Sequence, residues 1–149
     1  MNIKILCIGK LKEKYWTQAI AEYAKRLTAY CNLEITELKE SRSDNIDEEG
    51  INLLKKIKKE DYVITLEIKG ENLTSEELAG YIEQLGNKGK SNIVFVIGGS
   101  KGLSKGVNDR ANYKLSFSTM TFPHQMMRVI LMEQIYRSFK IIRKENYHK

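Results

Sequence analysis

The sequence predicts an α/β fold with a mainly parallel sheet flanked by helices, and three observations carry that expectation. Short β-branched or apolar runs alternate with segments of helical periodicity along the whole chain. In the run Asn92–Ile97 (NIVFVI), Ile93–Ile97 is apolar without a break, as a central strand covered on both faces requires. With 149 residues, the chain is long enough to bury about 70% of its unfolded surface around a core, and no linker or repeat splits it, so residues 1–149 are expected to form one domain.

Taken in order, Ile3–Ile8 reads as a short buried strand. Apolar positions 16, 19/20, 23/24 and 27 then keep helical spacing between Tyr15 and Tyr30. Leu33–Leu38 alternates imperfectly, as a second strand. The polar stretch Ser41–Asn45 suits the cap of a helix from Ile46 to about Lys58. Tyr62–Ile68 is a β-branched strand that runs into Lys69-Gly70. Thr74 and Glu77 stand in capping-box spacing and open the next helix. After NIVFVI comes the glycine loop Gly98-Gly99-Ser100-Lys101-Gly102, then a short helix near Lys105–Ala111 and a last strand, Lys114–Ser118. Pro123, the only proline, stiffens the start of a long helix reaching about Arg143. Sites in parallel sheets lie beyond the carboxyl ends of strands, which singles out the loops after Ile68, Ile97 and Phe117.

The net charge of +6 is unevenly distributed. Residues 1–100 hold 15 Lys/Arg against 16 Asp/Glu, whereas residues 101–149 hold 10 against 3. A basic C-terminal third suggests a polyanion, nucleic acid first, although a solvated basic face would look the same. The N-terminal run is too short and too charged for a signal peptide, and no segment approaches a membrane span. Cys7 and Cys31 match no metal spacing and read as inert buried thiols in a reducing cytosol.

Most of the motifs carry weak signals. Gly89-Lys90-Ser91 ends like a phosphate-binding loop but lacks the leading glycine, so it reads as a turn. The segment Gly98–Gly102 matches G-x-S-x-G with Ser100 central, and Asp109 and His124 follow in triad order. Nine residues separate Ser100 from Asp109, too few for a hydrolase of that type, so a serine hydrolase is a distant alternative. The two histidines, His124 and His148, have no carboxylate cluster beside them, and no metal site is expected. The final helix is apolar nearly all round from Met126 to Ile142. The sheet covers one side, and a partner subunit is the expected cover for the other. Glu133 and Arg137, spaced i, i+4, interrupt it and can pair. The tail Tyr147-His148-Lys149 combines a stacking ring, an imidazole able to take a proton and a cation.

Together, IGGSKG, the block LSFSTMTFPHQMMRVILMEQIYRSFKI, the terminal YHK and the start KI-x-x-x-GK-x-K resemble the RlmH family of SPOUT-class methyltransferases over the whole chain. Lys101 departs from the acid that many relatives place in the glycine loop. The resemblance implies a homodimer with a trefoil knot in its C-terminal half. It also implies S-adenosylmethionine as cofactor and methyl transfer to N3 of a pseudouridine in 23S rRNA of the assembled ribosome. Carried over residue by residue, the cofactor positions are Leu66, Gly98, Gly99, Phe117, Ser118, Thr119, Met120, Thr121 and Phe122. The expected catalytic set is His148, Tyr147, Arg137 and Glu133, with His148 assisting deprotonation of N3. Arg128, Tyr147, His148 and Lys149 are the expected substrate-binding residues. On this reading Pro123 is a hinge, and His124 has a structural or capping role. A non-catalytic, basic RNA- or ribosome-binding dimer is the alternative.

Overall fold

The computed structural model describes residues 1–149. Five strands, β1 (Asn2–Ile8), β2 (Asn32–Leu38), β3 (Tyr62–Asn72), β4 (Asn92–Ile97) and β5 (Tyr113–Ser116), form one sheet in the order β2-β1-β4-β3-β5. Every pairing is parallel, in agreement with the α/β expectation. The connections are α1 (Lys14–Leu27), α2 (Ile46–Leu54), α3 (Ser75–Asn87) and α4 (Lys105–Arg110), with α5 (His124–Ile142) closing the chain.

The period-2 geometry of a strand sorts its side chains onto two faces. Ile3, Ile5 and Cys7 of β1 join Ile93, Phe95 and Ile97 of β4 in the larger core, which α1, α3 and α5 cover. The alternate residues Leu6, Ile8, Val94 and Val96 face a smaller core closed by Leu53 of α2 and Val107 of α4. Both central strands are therefore apolar on both faces, and each fully buried large side chain stabilises the fold by about 1.5–3 kcal/mol.

The helix starts follow the polar residues identified in the sequence. The Thr74 hydroxyl accepts from Glu77 N at 3.1 Å, and the Glu77 carboxylate accepts from Thr74 N at 2.7 Å, which completes the capping box. Asn45 caps α2 by accepting from the amides of Asp47 and Glu48. Gly89 takes a left-handed φ of +75° in the turn after α3.

Several boundaries differ from the sequence reading, among them β5, which ends at Ser116 rather than Ser118. α1 stops at Leu27, the last of its periodic apolar positions, and α2 at Leu54, short of the expected Lys58. β3 runs on to Asn72, because Glu71 and Asn72 re-engage β5 after a register shift. Pro123 occupies the N-cap of α5, one residue before its first turn. The near-continuous apolar surface of α5 also has a cause not seen in the sequence. α1 and α3 both pack on it, so its flanks are partly covered within the chain, while Met126, Val129, Ile130 and Ile141 stay partly exposed.

Burial pushes the thiols of Cys7 and Cys31 up to about 11. Both are therefore protonated at neutral pH, and the thiolate is the reactive form. In a thiol–disulfide exchange assay at pH 8, neither cysteine should react appreciably with an aromatic disulfide until denaturant is added.

No helix of the chain is long and apolar enough to cross a membrane.

Candidate functional site

The carboxyl ends of β3, β4 and β5 open into a cleft of about 490 Å³. Three stretches wall it: Leu66–Lys69 of β3, the glycine loop Ile97–Leu103, and the segment from Phe117 to Met127. These are the three strand-end loops that the parallel topology singled out.

Each wall has a local cause. Leu66 and Glu71 both pair with Leu115, so residues 67–70 bulge out of β3 into the cleft. The bulge brings Gly70 against β5, where a Cβ would lie 2.7 Å from the Lys114 carbonyl oxygen. The Ser116 hydroxyl reaches the Ile68 carbonyl at 2.9 Å and the Ser118 carbonyl at 3.1 Å, tying the bulge to the loop after β5. In the glycine loop, Gly102 N donates to Gly99 O at 3.1 Å. A Cβ on Gly98 would sit 2.6 Å from Gly102 O, so this turn closes only around glycine.

Of the expected cofactor positions, Leu66, Gly98, Gly99, Phe117, Ser118, Met120, Thr121 and Phe122 line the cleft, whereas Thr119 shares the loop without lining it. Glu67, Ile68, Asn108 and His124 also line it, and the sequence reading missed all four in this place. His124, expected in a structural or capping role, lines the cleft at the start of α5. Asn108 Oδ1 is buried without a hydrogen-bond partner, although Asn108 borders the cleft. The cleft thus combines apolar walls for a flat ring, backbone groups of three loops and an unused buried acceptor, which fits S-adenosylmethionine.

A second cluster lies outside this cleft, on α5 and the C-terminal tail. Arg137 donates to Glu133 Oε1 through Nε at 3.0 Å and Nη2 at 2.5 Å, and the Tyr147 hydroxyl donates to the same oxygen at 3.0 Å. The Arg137 guanidinium stacks over the Tyr147 ring, 4.7 Å from its centroid. Arg137 Nη1 lies 3.1 Å from His148 Nδ1, and His148 Nε2 lies 2.7 Å from Glu76 Oε1 on α3. Arg137 has no lone pair to offer, so Nδ1 accepts and Nε2 carries the proton toward Glu76. Burial, reinforced by the bond to Glu133, holds the Tyr147 phenol well above its usual range, so it remains a donor. The bond to Glu133 likewise raises the already basic Arg137. Glu133, Arg137, Tyr147 and His148 are thus brought together, while Lys149 is exposed and makes none of these bonds.

Arg128 is placed elsewhere. It is 3% exposed; Nη2 donates to the carbonyls of Ile8 and Gly9 at 2.8 Å each, and Nη1 pairs with Glu37 at 2.8 Å. Three hydrogen bonds hold the guanidinium at the carboxyl end of β1, and its buried Nε has no partner.

The hydrolase alternative has no geometry behind it. The Asp109 carboxylate pairs with Lys105 at 2.6 Å on the exposed side of α4, and no hydrogen bond links Ser100, Asp109 and His124. No group of three His, Cys, Asp or Glu side chains is placed to hold a metal ion.

A family model described as "Predicted SPOUT methyltransferase" matches residues 1–148. The chain belongs to the SPOUT methyltransferase family. Two relatives of this SPOUT methyltransferase are named ribosomal RNA large subunit methyltransferase H, from Clostridium novyi (strain NT) at 58% identity and from Clostridium beijerinckii at 55%. Each alignment covers 100% of both chains. Among solved structures, a probable methylase family protein from Haemophilus influenzae Rd KW20 superposes with a TM-score of 0.58 at 13% identity, over 99% of this chain and 70% of that one, a likeness of fold.

Proposed function

We propose that this SPOUT methyltransferase uses S-adenosylmethionine to methylate N3 of a pseudouridine in large-subunit rRNA, acting in the cytosol on the assembled ribosome as a homodimer with a C-terminal trefoil knot. The observation that carries the reading is the cleft itself, built from the three strand-end loops of a chain that matches the family from end to end. The partly exposed apolar flank of α5 supports a dimer, and the full-length relatives named for large-subunit rRNA support the substrate.

When bound, the cofactor supplies an electrophilic methyl group on a sulfonium. The backbone of the glycine loop and of Phe117–Phe122 would hold it, with Leu66 and Leu115 among the apolar walls. What remains for the protein is positioning, which carries most of the rate in such a transfer, and removal of the N3 proton. The tail cluster suits the positioning, since both His148 ring nitrogens are engaged, Nδ1 by Arg137 and Nε2 by Glu76. Glu133 fixes Arg137 and Tyr147, and Arg137 in turn orients the His148 ring. Because these groups lie outside the cleft of their own chain, a second protomer is the means of bringing a tail to a cofactor.

The test is transfer of a radiolabelled methyl group to ribosomes, free large subunits and naked rRNA in parallel. Label is expected in large-subunit rRNA of ribosomes and absent from naked rRNA; calorimetry showing no S-adenosylmethionine binding would leave the non-catalytic RNA binder. The cleft makes a further prediction. Replacing Asn108 with Leu removes the unpaired acceptor, and cofactor affinity by calorimetry should fall about threefold to tenfold, the loss of one neutral hydrogen bond.

A further inference from the structure

In an all-parallel sheet the loop after β1 opens on the same edge as the cleft. The two touch: a Cβ on Gly99 would lie 3.2 Å from Ile8 Cγ2 at the end of β1. The loop Gly9–Glu13 that follows is bonded to the framework at several points. Gly9 N donates to Leu38 O at 2.7 Å, Leu11 N to Glu37 Oε2 at 2.9 Å, and Lys12 N to Gln125 Oε1 at 2.9 Å. Arg128 donates to the Gly9 carbonyl. Gln125 adjoins His124, which lines the cleft, so the loop stands at the cleft's rim.

On this fixed backbone, Lys10, Lys12 and Lys14 are all exposed, and none takes part in an ion pair. Glu13 is the only acid between Lys10 and Trp16. Tyr15 follows at the start of α1 with 59% of its surface exposed, braced edge-on by Trp16 at 4.7 Å between ring centroids. Three free cations beside an exposed ring, on a backbone that loses little freedom on binding, match the chemistry of single-stranded RNA recognition. Lysines meet phosphates and the ring takes an unstacked base.

We propose that the segment Lys10–Trp16 is an RNA-docking surface at the rim of the cleft, with the lysines on the phosphate backbone and Tyr15 stacked on a base. It rests on the methyltransferase reading in one respect, that the RNA is the large-subunit rRNA flanking the target. An acidic protein partner would use the lysines but not the ring.

The test compares the wild-type chain with the triple variant K10A/K12A/K14A and with Tyr15→Ala. Binding to purified large subunits is measured against salt concentration, with calorimetry on S-adenosylmethionine and sedimentation as controls. The triple variant should lower the slope of log K against log salt by about two to three, since each phosphate contact contributes roughly 0.7–0.9. Tyr15→Ala should weaken binding about fivefold or more with the slope unchanged, as loss of one stacked base requires. Cofactor affinity and sedimentation should match the wild type in both. An unchanged slope in the triple variant overturns the proposal. So does a change in oligomeric state in Tyr15→Ala, which would make this a contact between copies, and so does full binding by Tyr15→Ala, which would point to an acidic protein. Wild-type binding with the stated salt slope but no methyl transfer would overturn the methyltransferase reading and leave the RNA surface standing.

Discussion

Replacing Arg128 with methionine should lower the unfolding free energy by about 3 kcal/mol, because it strips a buried cation from a site built around it. Methionine occupies much of the volume of the arginine stem, so the loss comes from what the guanidinium leaves behind. The carbonyls of Ile8 and Gly9 lose their donor at 2.8 Å, and Glu37 loses its cation. The figure stays near the low end for breaking a buried pair, because the Glu37 side chain is 36% exposed and water screens it. Urea unfolding checks the number. The double variant with Glu37→Gln should lose less than the sum of the singles, since the two residues share one interaction. A stable Arg128→Met protein with methyl transfer alone impaired would restore Arg128 to substrate binding; the geometry assigns it to the end of β1.

Arg128 also marks where legibility in the sequence ends. A cation in a greasy helix is visible in the sequence, but the two carbonyls it binds, 119 and 120 residues upstream, are not. The elements themselves were legible, because strand period, helix period and caps are local. Thr74 and Glu77 announce their capping box three residues apart, and NIVFVI announces a strand covered twice. The three cleft loops were legible too, since parallel topology alone places sites at strand ends. The bulge of β3 was not. It arises from a register shift against a strand more than 40 residues away, and its only local trace is Gly70, which reads equally well as a strand terminator. The place of Asn108 and His124 in the cleft was not legible for a similar reason: each became part of it only when its helix turned one particular side to it. The apolar girth of α5 suggested a partner, yet much of it is answered by α1 and α3, which periodicity within α5 could not reveal.

The other large effect is expected at Glu133. Its Oε1 alone accepts both Arg137 bonds and the Tyr147 hydroxyl, and its Oε2 accepts from Gln134 at 2.7 Å. Glu133→Ala therefore releases three side chains at once: Arg137 loses its anchor, Tyr147 its acceptor, and His148 the guanidinium that orients Nδ1. The cost in stability should stay modest, because the pair spans one helical turn near the surface, with 24% and 18% of the side-chain areas exposed. The cost in methyl transfer should be about 100-fold or more in kcat on ribosomes, since misplacing a reacting group by 1 Å has that effect. Cofactor affinity should change far less than the rate, because none of these residues lines the cleft of its own chain. Arg137→Lys separates orientation from charge. Lysine keeps the positive charge beside Glu133 but lacks the planar fork that fixes the directions to Glu133 and His148 together, so it should lose nearly as much rate as Glu133→Ala. If Arg137→Lys methylates at close to the wild-type rate, the cluster acts through its charge, and the orienting role of Arg137 toward His148 falls.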